Sequence, residues 1–561
     1  AEDGIRDIGV TGVQTCALPI FAVHSQMAQA EKIPDEQISV FDEWVSQHPL
    51  KATESSPDKS MDIAFIDADW RTTNTISSLT ISPDSNFPIP RKLCDDVINC
   101  LTEKNAEMNI DATLPFCKDG YVTNCIANVE GIDVNGRVYN YKNQEYIPQS
   151  QAKIFAGEDS QGIPFGSAPS IVNFPDIGNE SDAHTFAVSV KYSVYRIKLN
   201  ENDQLSYPFS PRLFATIVPI TLINGQYTKT ENVLFTDSTG PRVNQRKQVH
   251  SNENCVVIDD GKCGLPVAFP SGIKFALTIN LHLPNQSWWH GRLNNLDVKI
   301  LSQNRDNIRI RFAGYPSRVP TVLAKADSTK LSDDLLTKYF GTVGKSFSPN
   351  LSFVASNRGS SMMQSFEELQ QYMDNHAYSL PNIWAIRTID SSEVRANSDA
   401  KFSACNSRYL SDYSSVAGVL NTNATVYLQG PPRYNPVLDT VDYKVAAPHF
   451  EVDNSVFRGF YSFELEEKLA QSIFGLKAGP IRAIISITDV NGTKNLSTST
   501  TSASNGFFRF EVNGFTFSSP TIHIKLQSLS GVNKPVTCVK GTKIIRLSGS
   551  STRCPSGFRK Q

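Results

Sequence analysis

Apolar and polar residues alternate in many short stretches of this chain, and that two-residue period predicts strands. Ile63-Ala-Phe-Ile66 and Ile76-Ser-Ser-Leu-Thr-Ile81 come first, before Pro83, Pro88 and Pro90 break the pattern. Extended runs follow at His184–Lys198, Leu213–Leu222, Ile273–Leu283, Val298–Ile300 and Ile308–Phe312. Asn-Gly pairs punctuate the pattern: Asn135-Gly136, Asn224-Gly225, Asn491-Gly492, Asn505-Gly506 and Asn513-Gly514. Two-residue hairpin turns need positive φ at both central positions, which Asn and Gly tolerate. Residues 150–315 therefore read as a large antiparallel domain. From 446 to 530 the short strands Val456–Phe463, Ile481–Asp489, Gly506–Val512 and Thr521–Leu526 suggest a small sandwich.

The period changes between 316 and 445. Leu331–Phe340 and Met363–Asn375 have helical spacing, and Phe366, Leu369 and Met373 fall on one face. The expected fold class is mainly β: several antiparallel β-sandwich-like domains with a smaller α-containing insert. The expected order is an N-terminal disulfide-bearing domain (31–149), the large β domain (150–315), the insert (316–445), the sandwich-like domain (446–530) and a basic disulfide tail (531–561).

Two leading segments stand outside this scheme. Ala1-Glu-Asp-Gly-Ile-Arg-Asp7 and Val10-Thr-Gly-Val-Gln-Thr-Cys-Ala-Leu-Pro-Ile20 back-translate to strings that resemble a short-read sequencing adapter, with Ile8-Gly9 where a sample barcode sits. Residues 1–20 are therefore set aside, as a fusion scar would be. Residues 21–30 resemble the end of a signal peptide, because Ala28-Gln29-Ala30 fits a small-x-small cleavage site.

Formal net charge is −3, and setting aside residues 1–20 removes three acids and one base. Neither sign dominates, so the charge balance gives no case for nucleic acid. No run of eighteen apolar residues predicts a transmembrane helix. Ten cysteines become nine without Cys16, and eight form close pairs: Cys94/Cys100, Cys117/Cys125, Cys255/Cys263 and Cys538/Cys554. Their spacings are too wide for the usual zinc pairs and suit loop-closing disulfides of an oxidising compartment. Cys94, Cys100, Cys117 and Cys125 can also cross-pair. Cys405 is left over and reads as a buried thiol.

No nucleophile elbow, P-loop or zinc-protease motif appears, and no cofactor or metal is expected. Asp133-x-Asn135-Gly136 and Asp489-x-Asn491-Gly492 lack the end ligands of a calcium loop and read as hairpin turns. Asp67-Ala-Asp69 and Glu464, Glu466 and Glu467 read as solvated faces or a helix start. Asp259-Asp260-Gly261 reads as a turn tip.

Two features carry candidate chemistry. Trp288, Trp289, His290 and Arg292 suit either a carbohydrate platform or an aromatic cluster packed in a core. Lys540, Lys543, Arg546, Arg553, Arg559 and Lys560 form a basic terminus with no acid after Glu511, suited to anionic envelope polymers.

Gly459-Phe-Tyr-Ser-Phe463, Ile473-Phe-Gly-Leu476, Ala483-Ile-Ile-Ser-Ile487, Gly514-Phe-Thr-Phe-Ser-Ser-Pro520 and Trp289-His-Gly-Arg-Leu293 are similar to segments of secreted actinobacterial β-rich proteins. The bracket Cys538-Val-Lys-Gly541 to Cys554-Pro-Ser-Gly-Phe558-Arg-Lys560 resembles their basic termini. The resemblance implies export and a β-rich architecture, and no catalytic residue carries over from it. The expected protein is thus secreted or cell-surface-associated, with a binding or structural role and a cell-wall polymer or extracellular glycan as partner. The alternative is an extracellular hydrolase acting on polysaccharide near the Trp-Trp-His cluster.

Overall fold

A computed structural model describes residues 60–67, 77–82, 92–93, 107–117, 122–147, 155–158, 163–177, 184–199, 205–206, 211–224, 232–237, 240–245, 256–259, 262–282, 288–304, 306–327, 331–340, 352–356, 362–373, 375–389, 416–476, 481–488, 494–496, 499–517, 520–528, 536–541, 543–547 and 554–560. The fold is mainly β, as the alternation predicts, with short helices. Cys94, Cys100, Cys255, Cys405 and Arg553, and the Asn491-Gly492 turn, lie outside the described residues.

One large sheet runs through the molecule. Its order is Ser78–Ser82, Glu107–Thr113, Thr185–Leu199, Arg212–Asn224, Asn382–Thr388, Trp288–Gly291, Gly418–Thr422, Arg458–Glu466, Phe507–Thr516, Ser499–Ser504. Every pairing along it is antiparallel except that of Trp288–Gly291 with Gly418–Thr422, which is parallel. A second sheet, ordered Val138–Asn140, Cys125–Ile132, Lys274–His282, Asn307–Arg318, Leu293–Gln303, lies against one half of the first. Strand Lys274–His282 shows why it packs there. Phe275, Leu277, Ile279 and Leu281 are buried in the core between the layers, and Asn280 and His282 are left half-buried on the other face. The layers meet at Ser317↔Ile383 on one side and Phe116↔Ile126 on the other. Trp384 sits in this core with Phe186 and Phe275 and satisfies its indole by donating to the carbonyls of Phe275 (3.2 Å) and Gly314 (3.1 Å).

The opposite face of the large sheet supports a second core. Tyr461, Phe463, Phe508, Phe510 and Val512 meet Val441, Tyr443, Ile485, Ile487, Ile522 and Ile524. The latter come from Thr440–Ala446, Ile481–Thr488 and Thr521–Ser528, adjacent strands of a smaller sheet. A third core joins strand Ser60–Ile66, flanked by Val322–Asp327 and Ser352–Ser356, to helices Asp333–Phe340 and Met362–Leu369. Phe366 and Leu369 are buried in it, as their helical spacing predicts. The stretch 316–445 also supplies Asn382–Thr388 to the middle of the large sheet.

Two Asn-Gly pairs differ in kind. Asn505 and Gly506 both have positive φ (54° and 83°) and close the two-residue hairpin between Ser499–Ser504 and Phe507–Thr516. Gly514 lies inside the latter strand rather than at a turn. The register against the neighbouring strand shifts there, so Gly514, at φ 79°, supplies the extra residue of a β-bulge.

Disulfides Cys117–Cys125 and Cys538–Cys554 are formed as their spacing suggests. The second closes a small sheet of Val536–Lys540, Lys543–Leu547 and Arg559–Lys560. The other two expected pairs, Cys94/Cys100 and Cys255/Cys263, are not among the described bridges. Of these four cysteines only the backbone of Cys263 is described. It lies in strand Lys262–Pro266, directly opposite Val257 on one side and Ile223 on the other, while its expected partner Cys255 falls outside the described residues. Cys263 thus stands at an interior position of a paired strand, and Asp259 faces Lys262 at the end of the hairpin, where the turn around Asp259-Asp260-Gly261 is expected. Among the described residues, no helix is long and apolar enough to cross a membrane.

Candidate functional site

Strand Trp288–Gly291 lies in the interior of the large sheet, with a core on each face, so its alternate side chains enter different cores. Trp288 stacks on Phe463 at 6.1 Å on one side, and Trp289 tilts against Phe312 at 4.9 Å on the other. Each is 1% exposed, so neither indole offers a face to a sugar. A strand covered on both faces reads as a continuous apolar run, and such a run resembles a binding platform when seen only in sequence.

His290 follows Trp288 into the same layer and stacks on Tyr427, with ring centres 3.5 Å apart and planes within 4°. Burial, aided by the charges of Arg292 and Arg387, holds its pKa well below the usual imidazole range, so it is neutral at pH 7. Its Nε2 is buried with no hydrogen-bond partner. Arg292 is a structural tie. Its Nε donates to Asp67, its Nη1 to the carbonyls of Thr422 (2.9 Å) and Ala424 (2.6 Å), and its Nη2 to Thr425 at 3.4 Å. All four expected ligand contacts therefore serve the interior.

The acidic residues divide three ways. Asp67 is buried against Arg292, contrary to the solvated face expected from its sequence context. Glu464 is also buried, at 3% exposure, because it lies in strand Arg458–Glu466 rather than in the helix that follows. Asn421 donates to its Oε2 at 3.3 Å, and Arg509 lies 3.6 Å from its Oε1 while also pairing with Glu511. Burial pushes its pKa up to about 8. Glu466 caps helix Glu467–Phe474 by accepting from the Leu469 amide at 2.7 Å, matching the expected helix start.

The outer face of the smaller sheet carries a polar relay. Asp442, His523 and Ser486 stand directly opposite one another on three adjacent strands, and Thr488 is diagonal to His523. Asp442 Oδ1 lies 2.6 Å from His523 Nδ1, and Thr488 Oγ1 lies 3.1 Å from Nε2. Thr440 donates to Asp442 Oδ1 (2.6 Å) and Asn435 to Oδ2 (2.8 Å). Burial raises the Asp442 pKa, but the hydrogen bonds from His523, Thr440 and Asn435 outweigh it and leave the carboxyl below its usual range. Ionised Asp442 accepts from Nδ1–H, which leaves Nε2 as an acceptor for the Thr488 hydroxyl. No sequence motif marks these residues, since the three strands that align them are far apart in the chain.

The basic terminus is on the small disulfide-closed sheet. Lys540, Lys543 and Arg559 are exposed, and Lys540 stands directly opposite Lys543. Arg546 opposes Thr537, and Lys560 opposes Cys538. No cluster of His, Cys, Asp and Glu able to hold a metal ion occurs among the described residues.

The chain matches no protein-family model and no curated protein sequence. The reading of its activity therefore rests on these side chains.

Proposed function

We propose that this is an extracellular or cell-surface β protein with a binding role, and that its Cys538–Cys554 sheet contacts anionic polymers of the cell envelope. The observation that carries the reading is the facing pair Lys540 and Lys543, both exposed on a disulfide-closed sheet. Like charges directly opposite in a sheet repel by a few tenths of a kcal/mol to about 1 kcal/mol. An anion lying across the pair relieves that repulsion. The bridge keeps the cations on a small fixed frame, and disulfides suit an oxidising compartment outside the cytosol.

The polysaccharide-hydrolase alternative at the Trp-Trp-His cluster draws no support from burial, because both indoles are covered. The test of the favoured reading is a pull-down with isolated cell walls, using the full chain and a chain lacking 535–561. Binding should fall on deletion and on raising salt, which screens exposed charges. Equal binding by both chains overturns it.

A further inference from the structure

We propose that Thr488, His523 and Asp442 form an acyl-transfer site that cleaves carboxylic esters of short acids. The reading is independent of the envelope-contact proposal. Three observations carry it. The hydroxyl, the imidazole and the carboxylate lie in series at 3.1 Å and 2.6 Å, the reach that a nucleophile, a base and its orienting acid need. Asp442 is itself fixed by Asn435 and Thr440, so the imidazole is oriented by a held partner. Thr488 is half-buried and so reaches the surface, whereas His523 is almost fully covered. A covered base beside an accessible hydroxyl suits a short acyl group on a larger alcohol that stays in solvent.

Arg433 stands directly opposite Asp442 on one neighbouring strand, and Lys494 directly opposite Thr488 on another. Lys525, two residues along the strand from His523, is drawn towards Asp439 at 3.5 Å. Lys444, two residues beyond Asp442, pairs with Glu367. Lys525 and Lys444 are thus each drawn to another acid, while Asp442 accepts from His523, Thr440 and Asn435.

In the first step Oγ1 of Thr488 attacks the ester carbonyl carbon, and its proton passes to Nε2 of His523. The tetrahedral adduct collapses, the bond from carbon to the alcohol oxygen breaks, and His523 returns the proton to that oxygen. Water then attacks the Thr488 ester by the same route. The carboxylic acid leaves and the threonine hydroxyl is restored. Thr488 and His523 are catalytic residues in this scheme. Asp442 is a positioning residue that selects the imidazole tautomer.

The probe is p-nitrophenyl acetate with the full chain. The expected result is release of p-nitrophenol and an acetyl adduct that peptide mass spectrometry places on Thr488. Thr488→Val keeps the side chain's shape and should abolish the adduct, and Thr488→Ser should retain it. His523→Gln should slow turnover by about 10²–10⁴-fold. Asp442→Asn should slow it and displace the pH–rate profile, which loss of packing alone does not do. Thr516→Ala, exposed on the large sheet and away from the relay, should leave the rate unchanged. Thermal melting of each variant separates lost chemistry from lost folding. An adduct absent from the folded wild-type chain, or a rate equal in folded wild-type and Thr488→Val chains, overturns the proposal.

Discussion

Arg292 Nε donates to Asp67 Oδ2 at 2.6 Å, and the two residues are 225 positions apart in the chain. Their side chains are 3% and 5% exposed. The guanidinium also holds three carbonyls of the 422–425 segment, so one side chain fastens the end of strand Ser60–Ile66 to the loop after Gly418–Thr422. Removing one partner of a buried pair leaves an uncompensated charge, at a cost of about 3–5 kcal/mol. Asp67→Ala and Arg292→Met should each lower stability by about that amount in urea unfolding. The double variant should lose less than the sum of the two, which a double-mutant cycle measures.

Glu464 makes stability depend on pH in a fixed direction. Its folded pKa, about 8, lies above the ordinary value of 4.5. Its stabilising contribution is therefore fully present below pH 4.5 and is lost as pH rises through about 8, at about 1.4 kcal/mol per pH unit. Glu464→Gln keeps an acceptor for Asn421 and has no charge to desolvate. The variant should match wild type near pH 4 and exceed it by about 3 kcal/mol near pH 7. Melting curves at the two pH values check both halves of the statement.

Gly418 has no room for a side chain in the large sheet. A Cβ there would lie 2.5 Å from the Trp288 ring and 2.9 Å from the Glu464 carbonyl oxygen. The carbonyl belongs to a paired strand and cannot yield. Gly418→Ala should therefore destabilise by about 1–3 kcal/mol. Trp288 emission should shift to longer wavelength if the indole is forced from its stack on Phe463.

The bridge Cys538–Cys554 closes a loop of 16 positions around a small sheet. In the chain-entropy account a loop of that size is worth about 3 kcal/mol to the structure it closes. Cys538→Ser with Cys554→Ser should raise amide hydrogen exchange across Val536–Lys540 and Lys543–Leu547. Protection of the Trp384 core should be unchanged.

The β class, the helix carrying Phe366 and Leu369, the Asn505-Gly506 hairpin and the bridges at Cys117 and Cys538 are all legible from local signals. Each depends on spacing within a few residues, which a sequence displays directly. For Trp288 and Trp289 the local pattern admits both a packed cluster and a sugar platform, and only the sheet as a whole, with a core on each face, decides for packing. Glu464 and Asp67 were misread for the same reason, since local polarity does not reveal a distant Arg509 or Arg292. The Asp442, His523 and Thr488 row was invisible, because only the order of strands in the smaller sheet brings those residues together.

The parallel pairing of Trp288 with Gly418 spans 130 positions. No hairpin can bring those strands together, so the middle of the large sheet must wait until residue 422 has left the ribosome. Until then Trp288–Gly291 has an open backbone edge on that side and two indoles without their final surroundings. Contacts of such long sequence separation fold slowly, and an open apolar edge meanwhile invites association with other chains. Expression that slows synthesis or supplies a holdase should raise the soluble yield of this chain, and splitting it within 292–417 should give two insoluble pieces.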